Sequence, residues 1–522
     1  MLYLAIVYHM HQPYYKNLLT GQVDTPWVRL HGIKDYLDML LILKDFPEIR
    51  LTFNLTPCLI EQIQEYAQGS IQDKYLALSY KPAEELTEED KQFILNNFFS
   101  LYVEYGIAFH PRYYQLYLKR QSQGKFDSQD LRDLQVWFNL AWFDPYFRKS
   151  LSELKTLVDK GRFFSEEEKQ VCLDKQSEIM ERIIPAYKEF MDSGQIEVIT
   201  NPYYHPILPL LFNSKIAKEA NPKAELPKRI FNFPEDAQTQ IQTAIRLYQE
   251  RFNRLPRGMW PSEEAVSEHI LNLLIQSGIN WIITDEAILF RSLGKKKRAP
   301  ASLYKPHWLK RKEGAISIVF RDRNLSDLIS FVYHRLDAKK AVDNFLHHLN
   351  NIDKHLKDEN PLVVIALDGE NAWEYYKNDG WDFLTLLYQR LSTCDFLRTT
   401  TISEFISKSP PKDNLPYLKP GSWVEGNFNK WIGAKPKNKA WELLVKAREE
   451  LGHIASSDKQ AAMGDKLNLA WKQIYIAEGS DWFWWYGDTD DKTFDQLFRM
   501  HLSNLYHFLD KPVPEQLNKN IT

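Results

Sequence analysis

The chain has 522 residues, 44% of them hydrophobic and 26% charged, which is enough apolar material for a large core and for more than one domain. A formal net charge of -3 leaves no basic surplus for nucleic acid, and the run Lys295, Lys296, Lys297, Arg298 reads as a solvated loop. Three scattered cysteines, Cys58, Cys172 and Cys394, argue against a disulfide framework and a thiolate metal site, and no apolar run is long enough to span a membrane, so a cytoplasmic protein with no membrane partner is expected.

Along the first four hundred residues, strand-like runs alternate with amphipathic helical segments, the rhythm of β/α units. The candidate strands are residues 3–8, 50–55, 196–200, 257–260, 281–284, 316–320 and 362–367. The apolar start, residues 2–7, lacks a basic leader and a small-residue cleavage site and reads as the first strand rather than a signal peptide. Seven strands predict a barrel or an open doubly wound sheet, and the lack of a GxGxxG turn or a Walker-type loop argues against a nucleotide.

The first strand runs into YHMHQPYY, which carries His9 and His11, and the third into TNPYYHPILPLL, which carries His205. Histidines two apart at a strand end point the same way, so His9 and His11 either chelate a metal with a third ligand such as His205 or hydrogen-bond sugar hydroxyls. Between them, residues 61–191 are rich in Glu, Lys, Gln and Leu, with acidic caps at Thr87 and Ser165, and read as inserted helices. The aromatic stretch 135–144 within that insertion either packs on the barrel or lines its mouth.

The fourth strand meets GMWPSEEAVS, placing Trp260, Glu263 and Glu264 at its exit. Asp285 follows the fifth strand, Arg321 and Asp322 the sixth, and the seventh ends in LVVIALDGENAWEYY, with Asp368, Glu370 and Trp373. A parallel strand covered on both faces has no cheap place for a carboxylate except its C-terminal end, where barrels carry their chemistry. Glu263 and Asp368 are therefore the candidate pair of carboxyl groups that glycoside hydrolysis needs. Trp260, Arg321, Asp322, Glu370 and Trp373 are expected to contact substrate at the same mouth.

After residue 401 the pattern turns to helices, which predicts a catalytic unit over 1–405 and a C-terminal helical domain over 406–522. Two irregular segments of that tail, 422–433 and 478–487, hold Trp431, Trp482, Trp484 and Trp485. With 14% aromatic residues in the chain, rings in irregular backbone suit stacking on sugar faces.

Taken in order, HQP at 11–13, YYHPILPL, GMWPSE, ALDGEN and NFNKWIG resemble the five sequence regions of glycoside hydrolase family 57, most like its amylopullulanase-type branch. The resemblance implies an α/β fold built on an incomplete seven-stranded (β/α)7 barrel with a helical insertion, closed over by a C-terminal α-helical domain. It also implies action on α-glucans with retention of configuration, Glu263 as nucleophile, Asp368 as general acid/base, and His11, His205 and Trp431 near the substrate. The same double displacement would serve a 4-α-glucanotransferase or a branching enzyme. A metal-dependent carbohydrate deacetylase, using His9, His11 and an aspartate as ligands, is the alternative of another class. The glycosidase reading expects no cofactor and no metal, and carboxyl groups about 5 to 6 Å apart.

Overall fold

The computed structural model describes residues 1–295, 297–356, 359–457, 463–487 and 491–522, so Lys296 of the basic run lies outside the described residues. The fold is α/β, with mostly parallel strands in two sheets and many helices. In one sheet β3 (Ile196–Ile199), β2 (Leu51–Leu55), β1 (Leu2–Met10) and β8 (Leu362–Asp368) lie side by side, and the short β9 (Leu397–Thr399) pairs with the start of β1. In the other, β4 (Gly258–Met259), β5 (Trp281–Asp285) and β7 (Gly314–Arg321) are parallel, and β6 (His307–Arg311) pairs antiparallel with β7. The sequence pattern missed β6 and β9. β6 is the outer arm of a hairpin turned at Gly314, and β9 is three residues long, too short to show alternation.

Two points join the sheets: a parallel bridge from Thr200 to Met259, and the Asp322 N–H donating to the Val364 carbonyl at 2.8 Å. Side-chain alternation shows what lies between them. Ala5 and Val7 of β1, Val364 and Ala366 of β8, Trp281 and Ile283 of β5, Val319 of β7 and Ile199 at the end of β3 form one buried cluster with Trp260. The intervening residues, such as Leu4, Ile6, Val363 and Ile365, belong to the larger core that packs on the helices. The period of 2 thus gives these strands an inner and an outer face, and both sheets contribute to one interior. Continued by one step, the inner face reaches His9, Asp368, Asp285 and Arg321, all at C-terminal strand ends.

The insertion is helical throughout its long elements, including Glu88–Asn97, Ser128–Trp142 and Glu166–Asp192. Thr87 and Ser165 each close a capping box, satisfying backbone N–H groups that a helix start leaves free. Beyond β9, helices Lys435–Ala455, Asp465–Ala477 and Ser480–Trp485 are joined to the strands by an irregular stretch whose Gly421 pairs with Val266. Among the described residues, no helix is long and apolar enough to cross a membrane.

Candidate active site

Glu263 sits where β4 leaves the sheet, with φ near +58°, and Glu264 follows at +51°. Two successive non-glycine residues in the left-handed region carry a backbone cost that persists only where the surroundings impose it, and such residues gather at functional sites. The turn sends the two side chains to different places. Glu264 is fully buried, neither of its carboxyl oxygens has a protein partner, and burial pushes its pKa well up. Glu263 accepts from the Trp423 indole N–H at 2.7 Å, lies 3.5 Å from the Ser480 hydroxyl and 3.9 Å from His205 Nδ1, and keeps 12% of its side chain exposed.

Asp368 is paired in register with His9 across β1 and β8 and is half-buried. The Asn371 amide donates to its carboxylate at 3.3 Å. Desolvation raises its pKa, while Arg321 and His11 pull the other way. Desolvation also pushes Glu263 up, to about 8, with the charge of Asp368 adding to the rise and the Trp423 hydrogen bond opposing it. The charge of Asp368 thus reaches Glu263 and disfavours its ionised form. Glu263 has the stronger donors, which favour its charged form, while desolvation keeps it mostly protonated below about 8 in the free site.

Three histidines stack beside this pair. His11 and His205 have ring centroids 3.9 Å apart, and His9 lies 4.8 Å from the Trp260 ring at an interplanar angle of 9°. Burial lowers the pKa of His9 and His205 well below the ordinary imidazole value, so both are neutral at physiological pH. His9 Nδ1 accepts from the Asn54 amide at 2.6 Å. His11 Nε2 lies 2.8 Å from Asp481 Oδ1, and His205 Nδ1 lies 2.9 Å from Ser480 Oγ, whereas His205 Nε2 is buried with no protein partner. Ligand atoms of His11, His205 and Asp481 lie within 4.8 Å of one another, so among the described residues these three, rather than His9 with His11, are the set that can approach a metal ion.

Several expected substrate contacts are placed elsewhere by the structure. Trp431 and Trp482 are fully buried: the Trp431 carbonyl accepts from Trp441, and the Trp482 indole donates to the Ile476 carbonyl. Neither offers a ring to a sugar, because each completes the packing of the C-terminal helices. Trp485 is half-buried with its ring stacked on Phe494 at 4.9 Å. Trp484 is also half-buried, its ring 5.8 Å from that of Trp431 and covered by the Lys430 ammonium. Trp260 is buried beneath His9, and Trp373 is buried with its indole N–H donating to the Gly369 carbonyl, so both support the site from below. Arg321 and Asp322 part company. Asp322 caps the helix Arg323–Asp327 and accepts from Tyr304, whereas Arg321 pairs with Asp285 at 3.2 Å and lies over the Trp423 ring at 5.2 Å. Glu370 is buried and accepts from the His11 backbone N–H at 3.0 Å and from Gln12, tying the β8 exit to the β1 exit.

The residues that reach the carboxyl pair from the tail are Trp423, Ser480 and Asp481. The sequence pointed to both segments that hold them but not to these three residues. Trp423 and Trp431 stand eight positions apart in one glycine-bounded stretch, and nothing in residue type separates a ring that touches Glu263 from one that fills a core.

The family model described as "Glycosyl hydrolase family 57" matches residues 5–418. An alpha-amylase from Pyrococcus horikoshii is 26% identical over 283 residues, covering 52% of this chain and 38% of its own. A 4-alpha-glucanotransferase from Thermococcus litoralis is 24% identical over 277 residues, covering 51% of this chain and 36% of its own. The chain thus spans less than two fifths of the length of these relatives. Among solved structures, a GH57-type branching enzyme from Pyrococcus horikoshii has a TM-score of 0.64 at 18% identity, covering 99% of this chain and 93% of that one. An alpha-amylase from Thermotoga maritima gives 0.62 at 15% identity, covering 99% and 95%. At such identities the likeness is one of fold.

Proposed function

The chain belongs to glycosyl hydrolase family 57, and from that premise we propose that it is an α-glucan-active glycosidase cleaving α-1,6 links, α-1,4 links or both by double displacement, in the manner of the amylopullulanase-type branch. The observation that carries this reading is that Glu263 and Asp368, at the ends of β4 and β8, lie close enough for the charge of Asp368 to raise the Glu263 pKa. Glu263 is the nucleophile. Trp423 and Ser480 hold its carboxylate, and attack at the anomeric carbon forms a glycosyl ester while the scissile C–O bond breaks. Asp368 gives its proton to the departing oxygen, then takes one from the incoming water, so the sugar is released with its configuration retained. Neutral His9 and His205 add hydrogen-bonding capacity for hydroxyls without adding charge that would trap the carboxylates.

A barrel of seven strands, with residues 406–522 closing over it, belongs to the same proposal, as does a carboxyl separation of about 5 to 6 Å, the range for retention. Three free cysteines favour a reducing, cytoplasmic setting and an intracellular substrate such as glycogen or maltodextrin. A transferase reading is supported by the relatives named branching enzyme and 4-alpha-glucanotransferase, since a sugar hydroxyl can replace water in the second step. The deciding experiment is the product profile on pullulan, amylose and glycogen, with the anomer of the first product followed by NMR. The proposal expects the α-anomer from at least one of these substrates, and release of the β-anomer would refute it.

A further inference from the structure

Three side chains of the ligand type come together from distant parts of the chain. His11 immediately follows β1, His205 lies in the loop after β3, and Asp481 stands in the first turn of the helix Ser480–Trp485, yet their ligand atoms lie within 4.8 Å of one another. Each histidine has one ring nitrogen beside a hydroxyl: His11 Nδ1 is 3.2 Å from Thr56 Oγ1, and His205 Nδ1 is 2.9 Å from Ser480 Oγ. The other nitrogen is Nε2, which in His11 lies 2.8 Å from Asp481 Oδ1 and in His205 is buried without a protein partner. A hydrogen bond on the second nitrogen is how metal-binding histidines are held, because it fixes both tautomer and ring orientation. The side chains of His11 and Asp481 keep 11% and 14% of their surface exposed, so an ion has a way in. Tetrahedral ligands at about 2.0–2.1 Å from zinc stand about 3.3 Å apart, so from at most 4.8 Å the atoms must close by about 1.5 Å, within reach of side-chain rotation. Two imidazoles and a carboxylate favour zinc, nickel or copper over magnesium and calcium.

We propose that His11, His205 and Asp481 form a site for a divalent transition-metal ion, whose binding stops turnover and fastens the helix Ser480–Trp485 to the exits of β1 and β3. The inhibitory half rests on the glycosidase reading; the binding half stands on the geometry alone. The contact of His11 with Asp481 already joins segments 470 residues apart. An ion displaces the proton that these two share, releases it to solvent, and replaces one hydrogen bond with three coordinate bonds. It also brings a divalent charge beside the nucleophile, since Glu263 Oε1 lies 3.9 Å from His205 Nδ1 and 3.5 Å from the Ser480 hydroxyl. That charge pairs with the carboxylate and weakens it as a nucleophile, and a ring nitrogen bound to metal no longer serves a sugar hydroxyl. The ion is thus a reversible inhibitor rather than a cofactor, and removing it restores turnover.

The test uses the full chain after dialysis against a chelator, titrated with zinc chloride. Calorimetry should show one zinc per chain, and zinc should raise the melting temperature while stopping turnover of amylose or pullulan. Magnesium and calcium should do neither. Asp481→Asn keeps the shape of the side chain and an acceptor for His11, and His205→Gln tests the site from the β3 side. Each should weaken zinc binding by about a hundredfold or more, beyond the roughly 10–100-fold cost of losing an outer partner, and should abolish the zinc-induced rise in melting temperature. Thr56→Val, which removes only the hydroxyl beside His11 Nδ1, should weaken binding by about tenfold. Absence of one-to-one binding overturns the proposal. So does zinc affinity equal to the parent's in both ligand variants, the result expected of an ion on exposed histidines such as His347 and His355. Tight binding at the three residues with turnover unchanged overturns the inhibitory role, as does activity that appears only when zinc is added. If the parent cleaves no glucan, the glycosidase reading fails on its own, and calorimetry and melting still judge the site.

Discussion

Glu263 is held at a cost to stability. Its carboxyl titrates near 4.5 when unfolded and is pushed up to about 8 in the fold, so the folded state binds its proton more tightly. The stability associated with that proton is fully present below about 4.5 and is lost as pH rises toward 8, at no more than about 1.4 kcal/mol per pH unit. Glu263→Gln should therefore raise the melting temperature over the parent at pH 9 and much less at pH 5, while lowering kcat by roughly a thousandfold or more. Thermal unfolding at the two pH values checks the sign. Asp368→Asn removes a neighbouring negative charge and should lower the Glu263 pKa. Read on a glycosyl fluoride, which needs no acid, the acid limb of the pH–rate profile should move down in this variant. Trp423→Phe removes a hydrogen bond to the charged form, worth about 1.5–3 kcal/mol, and should move the same limb up by about one to two pH units. Trp431→Ala, by contrast, empties a fully buried position and should cost about 3–5 kcal/mol in a denaturant titration without shifting that limb.

Among the elements, the irregular stretch between β9 and the C-terminal helices decides how the site closes. Gly421 exchanges backbone hydrogen bonds with Val266, N–H to carbonyl at 3.0 and 2.8 Å, and the Trp423 N–H then donates to the Glu263 carbonyl at 3.2 Å. This short pairing clamps the β4 exit loop, with its two left-handed residues, under the indole that binds the Glu263 carboxylate. A side chain at Gly421 would bring a Cβ to 2.2 Å from the Gly426 carbonyl oxygen and 2.5 Å from Ile288, and backbone cannot yield as a flexible side chain can. Gly421→Ala should therefore lower both the melting temperature and kcat. The KM for fluoride donors should change least, because the histidine side of the site is built on other elements. Steady-state kinetics beside circular dichroism separate this from simple unfolding.

At the scale of the whole molecule, the site is assembled from chain segments hundreds of residues apart, and the chelating geometry of His11, His205 and Asp481 exists only in that assembly. Activity on an α-glucan should survive dialysis against a chelator, since in the proposed mechanism two carboxyl groups supply both nucleophile and acid. Loss of activity restored by a divalent ion would favour the deacetylase reading. What the sequence by itself determined was whatever is local and periodic. Apolar runs ending in polar residues marked seven strands, and the capping residues at Thr87 and Ser165 marked helix starts. Five ordered motifs pointed to the family whose model matches residues 5–418. Alternation also carried Asp368 and His9 to one inner face, because a period of 2 is a property of the strand alone. What only the tertiary structure decided was which of several chemically identical side chains meets another. Glu263 and Glu264 differ by one peptide unit, yet a left-handed turn buries one and turns the other to the histidines. Trp423 touches Glu263 while Trp431 fills a core, and Asp481 reaches His11 across 470 residues of chain. Contact at such separations depends on how helices and sheets pack, and packing is a sum over many neighbours that no local pattern of residues encodes.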